Sequence, residues 1–297
     1  MNILAVALLL SALPRPPTAH AIALVTLLEG SLRVIRGTTA FQGAEGMSIR
    51  QGDIIESSDQ GFVQLEFGNG AIIALGPSSR MYILQGSPGE TKGEQNVVLD
   101  LVMLNGWFKS ESASNKHLHR YRTPLLAAMT TGGTLVVRSD SSECVVFLES
   151  GSMSVGEVNP SGVSGGATAG KVGQSFSRKK GAAMPSLARP SGEFLEGMPR
   201  PFRDTLPPRI ARYSGQPVEP KAGHPVTYEE IGHWLTIPSA WRKGLPERFA
   251  PRLSAPDFRK QIELHLKEFP EWGPLLHPKK DPESTSEELK DETAPEI

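Results

Sequence analysis

Seven histidines, one cysteine and a scatter of carboxylates are the side chains of this 297-residue chain whose chemistry could go beyond packing. The histidines stand at 20, 117, 119, 224, 233, 265 and 277, and His117-Leu118-His119 is their one close pair. On a strand both rings would share a face, as a metal pair requires, but no third ligand stands near. Lys116, Arg120 and Arg122 would also oppose a cation. The segment therefore reads as an exposed basic loop with no metal. Cys144 has no histidine neighbour and abuts the apolar run Val145-Val146-Phe147-Leu148, so it reads as core lining. A lone cysteine excludes an internal disulfide and every multi-cysteine zinc or iron–sulfur site. Asp53 and Glu56 could be taken as a carboxylate pair for glycoside hydrolysis, although turn and surface roles account for both. Gly-x-Ser-x-Gly, His-Glu-x-x-His and phosphate-loop patterns are missing from the sequence. The chain reads as a non-enzyme without a cofactor. What is left is binding. Trp107 and Phe108, with Lys116, His117, His119, Arg120 and Arg122, make a candidate surface for a protein or an anionic polymer.

The elements that would position these residues are strands. Val63, Leu65 and Phe67 alternate with Gln64 and Glu66, Asn69-Gly70 supplies a turn, and Ala71-Ile72-Ile73-Ala74-Leu75 resumes the run. Val97, Leu99, Leu101 and Met103 alternate before Asn105-Gly106, and Val145 to Leu148 precede Glu149-Ser150-Gly151. Gly70, Gly106 and Gly151 are spaced 36 and 45 residues apart and read as turns between stacked β units. Gly133 reads as a turn before another strand, Leu135-Val136-Val137, and Gly52-Asp53 as a turn feeding one. The sequence predicts a mainly β domain over 22–158, of stacked short antiparallel strands in a solenoid-like or sandwich arrangement.

Composition agrees. Lys plus Arg number 31 against 32 Asp plus Glu, which leaves no basic field for nucleic acid. Gly and Pro, 30 and 25, argue against a helical bundle. At the N-terminus, Ile3 to Leu13 carries no charge and is too short to span a bilayer, which needs about 20 apolar residues. Pro14, Pro16 and Pro17 follow, then Ala19-His20-Ala21, a small-x-small cleavage site. Residues 1–21 read as a cleaved signal peptide, and the mature protein as periplasmic or secreted and not membrane-spanning. A buried N-terminal helix is the alternative.

Beyond 158 the character changes. Prolines number 16 between 181 and 280 against three between 22 and 150, so 159–225 reads as a Gly/Ser/Pro-rich linker or strap. Arg178-Lys179-Lys180 within it reads as a solvated turn. Thr227 and Glu230 form a capping box, and Phe258, Ile262, Leu266 and Phe269 make one helical stripe after Pro256. Residues 226–278, with Trp234, Trp241 and Trp272, read as a small helical subdomain packed locally and loosely tethered. Three bases and seven acids from Lys279 onward predict a disordered acidic tail over 279–297.

By the order and spacing of Gly30 to Val34, Arg50 to Ser57, Gly61 to Phe67 and the motifs behind them, the stretch from Gly30 to about Val155 resembles the ferric-citrate regulator (FecR) domain family of bacterial envelope proteins. The resemblance rests on Gly30-Ser31-Leu32-Arg33-Val34, on Arg50-Gln51-Gly52-Asp53-Ile54-Ile55-Glu56-Ser57, and on Gly61 to Phe67 with Asn69-Gly70. Leu75-Gly76-Pro77-Ser78-Ser79, Tyr121-Arg122-Thr123-Pro124 and Gly133 to Val137 follow in order, with Gly170 to Gln174 behind them. It implies an all-β envelope domain that binds or signals. In the signalling members a cytoplasmic sigma-factor-binding segment and a membrane helix precede the domain; here nothing cytoplasmic precedes the hydrophobic segment, so the chain resembles the cleaved, secreted branch. Two classes of function stay open: a periplasmic binding or scaffold module engaging an envelope protein or a cell-wall polymer, and a regulatory component of a surface-signalling pathway. A cell-wall hydrolase is a third.

Overall fold

A computed structural model of the chain describes residues 21–86, 97–113, 117–162, 165–213, 218–221 and 223–277. Residues 1–20 of the expected signal peptide (1–21), Lys116 and the expected acidic tail lie outside them. The protein is mainly β. In chain order the strands are β1 (Ala21–Glu29), β2 (Leu32–Arg36), β3 (Thr39–Gln42), β4 (Ser48–Arg50), β5 (Ile54–Ser57), β6 (Phe62–Phe67), β7 (Ala71–Leu75) and β8 (Arg80–Gly86). Then come β9 (Val97–Ser112), β10 (Leu118–Arg122), β11 (Leu126–Ser139), β12 (Glu143–Glu157), β13 (Thr168–Gly170), β14 (Ser175–Lys179), β15 (Ser186–Leu187) and β16 (His224–Pro225). The helices are α1 (Gly192–Gly197), α2 (Tyr228–Leu235), α3 (Ser239–Arg242), α4 (Leu245–Phe249), α5 (Pro256–Leu264) and α6 (Gly273–Leu276).

One 16-stranded sheet folds over on itself into two layers. The first runs β16-β3-β2-β5-β8 and continues through the first half of β9, β10, the first half of β11, and the second half of β12 with β13. The second runs β4-β1-β6-β7, then the second halves of β9 and β11, the first half of β12, β14 and β15. Period-two alternation sends Val34, Ile55, Met81, Leu101, Leu65, Ile73, Phe108 and Val146 into a common core between the layers.

Three strands belong to both layers, and this corrects the expectation of short strands throughout. β9, β11 and β12 are 16, 14 and 15 residues long. Gly106, Gly133 and Gly151, read as turns from sequence, lie inside these strands at the crossings. Each has positive φ, which bends the strand while its ladders continue on both sides. Gly70 is the true hairpin tip between β6 and β7, at φ +83° with open space around it. Gly70→Ala is therefore expected to cost only the left-handed backbone penalty, about 1–2 kcal/mol. An unchanged urea midpoint would show that the turn relaxes.

The outer faces of both layers are apolar, and both are covered by chain beyond 158. On the first layer, Ile35, Ile54, Val102 and Ala127 pack against Trp234, Trp241, Phe249, Ile262 and Trp272. The helical segment is thus not a loosely tethered subdomain; about 50 residues bury their apolar side on the sheet. Arg248 fastens it further, giving hydrogen bonds to the carbonyls of Ile35, Gly37 and Gly52. On the second layer, Phe62, Ala74, Val136 and Val145 are covered by Phe194, Met198, Phe202 and Leu206. The β region also extends past 158: β13 and β14 pair with β12, and Phe176 is fully buried. Arg178, on β14, is no solvated turn residue. Its guanidinium donates to the carbonyls of Leu125 and Val158 at 2.8 Å each.

The strap over the second layer is held by its backbone. Lys109 Nζ donates to the carbonyls of Phe202 and Asp204, both at 2.9 Å, and Gln64 Nε2 to that of Pro207 at 2.8 Å. Glu66 accepts from the amides of Arg209 and Ile210, and Glu111 from that of Leu206. Gln64, Glu66 and Lys109 are buried polar groups whose desolvation demands these partners. Lys109→Met keeps the stem and removes the donor, with an expected loss of about 1.5–3 kcal/mol. Trypsin should then cut faster at Arg203 and Arg209. Unchanged cleavage would mean that Gln64, Glu66, Glu111 and the apolar neighbours of Phe202 hold the strap without Lys109.

Candidate functional site

A polar cleft of about 590 Å³ opens on the first layer, where the strands run out from under the helical cover. Strand register builds its floor. Gln42 of β3 faces Arg33 of β2, which faces Glu56 of β5, which faces Arg80 of β8, which faces Asn105 of β9. Five polar side chains from five adjacent strands thus form one row across the sheet. Neighbouring positions on the same face, Ile35, Ile54 and Val102, are apolar and lie under the helices. The row begins where that cover stops.

Glu56 is the centre. It is 5% exposed and accepts from Arg33 Nε at 3.0 Å, His233 Nε2 at 2.9 Å and Trp234 Nε1 at 3.2 Å, with Arg33 Nη2 also against its carboxylate. Arg80 Nε stands 3.7 Å away. Burial alone would raise its pKa; the hydrogen bonds from His233 and Arg33, with the charge of Arg33, outweigh burial and hold it at about 2. Helix α2 brings His233 and Trp234 here because the capping box forms as the sequence predicts: Thr227 accepts from the Glu230 amide while Glu230 accepts from that of Thr227. Glu230 then takes Arg33 Nη1 at 3.2 Å and His224 Nε2 at 2.9 Å. Ser78, on the rim, is the one described non-glycine residue with positive φ, +50°.

The surface expected from sequence does not assemble. Phe108 is 1% exposed and packs in the inner core against Tyr121. Trp107 points to the opposite layer and lies under α1, its ring 5.0 Å from Phe194. The basic run is a strand and not an exposed loop, because β10 inserts in parallel beside β9 and antiparallel to β11. His119 is fully buried, its Nε2 taking a hydrogen bond from Asn69 Nδ2 at 3.4 Å. Burial, with the charge of His117, pushes its pKa down to about 4. His117 is partly buried, and its Nδ1 lacks a hydrogen bond. Arg120 and Arg122 both pair with Asp100, at 3.4 and 2.6 Å. Asp53 and Glu56 do not share a site: Asp53 pairs with Arg36 at 2.7 Å, and Glu56 with Arg33. Gly52 and Asp53 do form the expected turn into β5, with Asp53 accepting from the Arg50 amide. Burial raises the Cys144 thiol to about 12. Among the described residues no cluster of three or more His, Cys, Asp or Glu could hold a metal ion, and no helix is long and apolar enough to cross a membrane.

Fold and site together define a doubly covered β-sandwich with a polar cleft at one end of its first layer. No family model matches the chain, and no curated protein does. Among solved structures it is similar to two crystal structures of a protein from Parabacteroides distasonis ATCC 8503, described as a "putative anti-sigma factor". One match has a TM-score of 0.37 at 11% identity, covering 46% of this chain and 59% of the other. The second has a TM-score of 0.38 at 12% identity, covering 48% and 64%. This chain thus spans less than two thirds of either, and likeness of that degree carries no statement about its activity.

Proposed function

We propose that this protein is a non-catalytic binding module of the bacterial cell envelope, of the ferric-citrate regulator domain type, and that the cleft over the Gln42–Asn105 row is its ligand site. The observation that carries the reading is the row itself. Two of its five members, Arg33 and Glu56, are committed to each other and to α2, so the floor is rigid. The others, Gln42, Arg80 and Asn105, reach the cleft with hydrogen-bonding capacity to spare. A concave site with a fixed frame and a few convergent polar groups is the usual form of a ligand site. Binding is favoured over catalysis at this cleft because Glu56, its buried carboxylate, is committed to Arg33, His233 and Trp234 and is held ionised by them, so it is poorly suited to deliver a proton near neutrality. Envelope location rests on the Ile3–Leu13 segment and the Ala19-His20-Ala21 site.

A photo-crosslinking residue in place of Gln42, in the full chain expressed in cells, tests both parts. Processing by about 21 residues, with crosslinks to an envelope component from position 42 and not from position 263 on exposed α5, is the expected result. A chain kept in the cytoplasm at its full mass overturns the export reading. Equal labelling from both positions overturns the cleft reading. Capture of a membrane-bound signalling protein from position 42 would place the module in a surface-signalling pathway.

A further inference from the structure

We infer that the cleft takes a neutral, polyhydroxylated sugar chain laid across the strands, a class of ligand more specific than the binding reading on which it rests. Charge comes first. The ionisable side chains lining the cleft are Arg33 and Arg80 against Glu56 and Asp59, with His224 at the rim. The two cations and two anions cancel, so the site has no field to concentrate a polyanion. This departs from the anionic polymer expected from the basic run, whose arginines are occupied by Asp100.

Hydrogen-bonding capacity comes second. A sugar hydroxyl both donates and accepts, so a site for several of them must offer both kinds of group side by side. Gln42 carries both on one exposed amide, and no described residue engages it. Arg80 lines the cleft with its side chain about two-fifths exposed and its Nε 3.7 Å from Glu56, so its guanidinium keeps donors to spare. Asn105 gives its amide hydrogen to the Ser78 carbonyl, which fixes the side chain and leaves Oδ1 as an acceptor.

Spacing comes third. Adjacent strands lie about 4.8 Å apart, so the row spans roughly 19 Å across four intervals. A β-linked pyranose chain repeats on the same length scale, which sets close to one ring per strand. A peptide fits worse. On the outer edge of β3, Thr39 and Ala40 are already paired with Pro225 and His224 of β16, which leaves only Phe41 and Gln42 for an added strand, too short a ladder to hold a peptide by its backbone.

The test is titration of the full-length protein with chitotetraose and cellotetraose, followed by the fluorescence of the tryptophans, since Trp234 donates to Glu56 in the wall of the cleft. Gln42→Ala and Asn105→Ala are the variants, and dextran sulfate is the polyanion control. The expected result is saturable binding of a neutral tetrasaccharide, weakened about tenfold or more by either variant at an unchanged melting temperature. Binding of dextran sulfate alone, lost in the same variants, overturns the neutral-sugar proposal and leaves the cleft as the ligand site. So does failure of both tetrasaccharides while position 42 still crosslinks an envelope component. Failure of the tetrasaccharides together with loss of position-specific crosslinking overturns both readings.

Discussion

Glu56→Ala should lose about 3–5 kcal/mol of stability, because it leaves Arg33, His233 and the Trp234 indole N–H without their shared acceptor at a desolvated position. Urea unfolding at pH 7 measures it. Acid titration gives a sharper test with Glu56→Gln as reference. The folded-state pKa is depressed from 4.5 to about 2, so the ionised carboxylate favours the folded state. That contribution, about 3 kcal/mol from the size of the shift, is fully present above pH 4.5 and drains away as pH falls toward 2. The stability gap between wild type and Glu56→Gln should therefore narrow across that window and stay level above it. A gap that is constant from pH 7 to pH 2.5 would mean that Glu56 is not held ionised.

Gly133→Ala is the second large effect. An added Cβ would stand 2.1 Å from the Ser150 carbonyl oxygen and 2.7 Å from Gly151 Cα, both backbone atoms that cannot swing aside. With φ at +97°, the left-handed penalty of roughly 1–2 kcal/mol joins an overpacking cost of roughly 1–3 kcal/mol. The loss should exceed that of Gly70→Ala, whose Cβ meets open space. Equal midpoints for the two variants would show that the crossing of β11 and β12 has room to open.

Local signals in the sequence were legible and non-local ones were not. The alternation of Val63, Leu65 and Phe67, the Asn69-Gly70 tip and the Thr227–Glu230 capping box all depend on residues within a few positions of one another, and all formed. Gly106, Gly133 and Gly151 were legible as breaks in the strand pattern, but a glycine that ends a strand and one that bends it look the same in sequence. Lys109, Gln64 and Glu66 sit at alternate positions that ordinarily face water; nothing nearby reveals that a strap about 95 to 145 residues downstream covers them. The cleft was hardest to see. Arg33, Gln42, Glu56, Arg80 and Asn105 are unremarkable singly and become a site through the register of five strands. The basic run 116–122 misled because its charge was visible while the parallel pairing that places Arg120 and Arg122 beside Asp100 was not.

The two coverings have a consequence for biogenesis. Both outer faces of the sandwich are apolar, and everything that seals them lies C-terminal to the strands that form them. A chain that emerges N-terminus first, from the ribosome or across a membrane, delivers the roughly 120 residues from Val158 to Leu276 only after the strands they cover, so an interval separates the two. For that interval a nascent chain that has already paired β1 through β12 presents two uncovered hydrophobic faces. Such surfaces associate with one another unless they are shielded. The yield of native protein is therefore expected to fall when arrival of the covering residues is delayed, and to recover when either face is shielded during that interval.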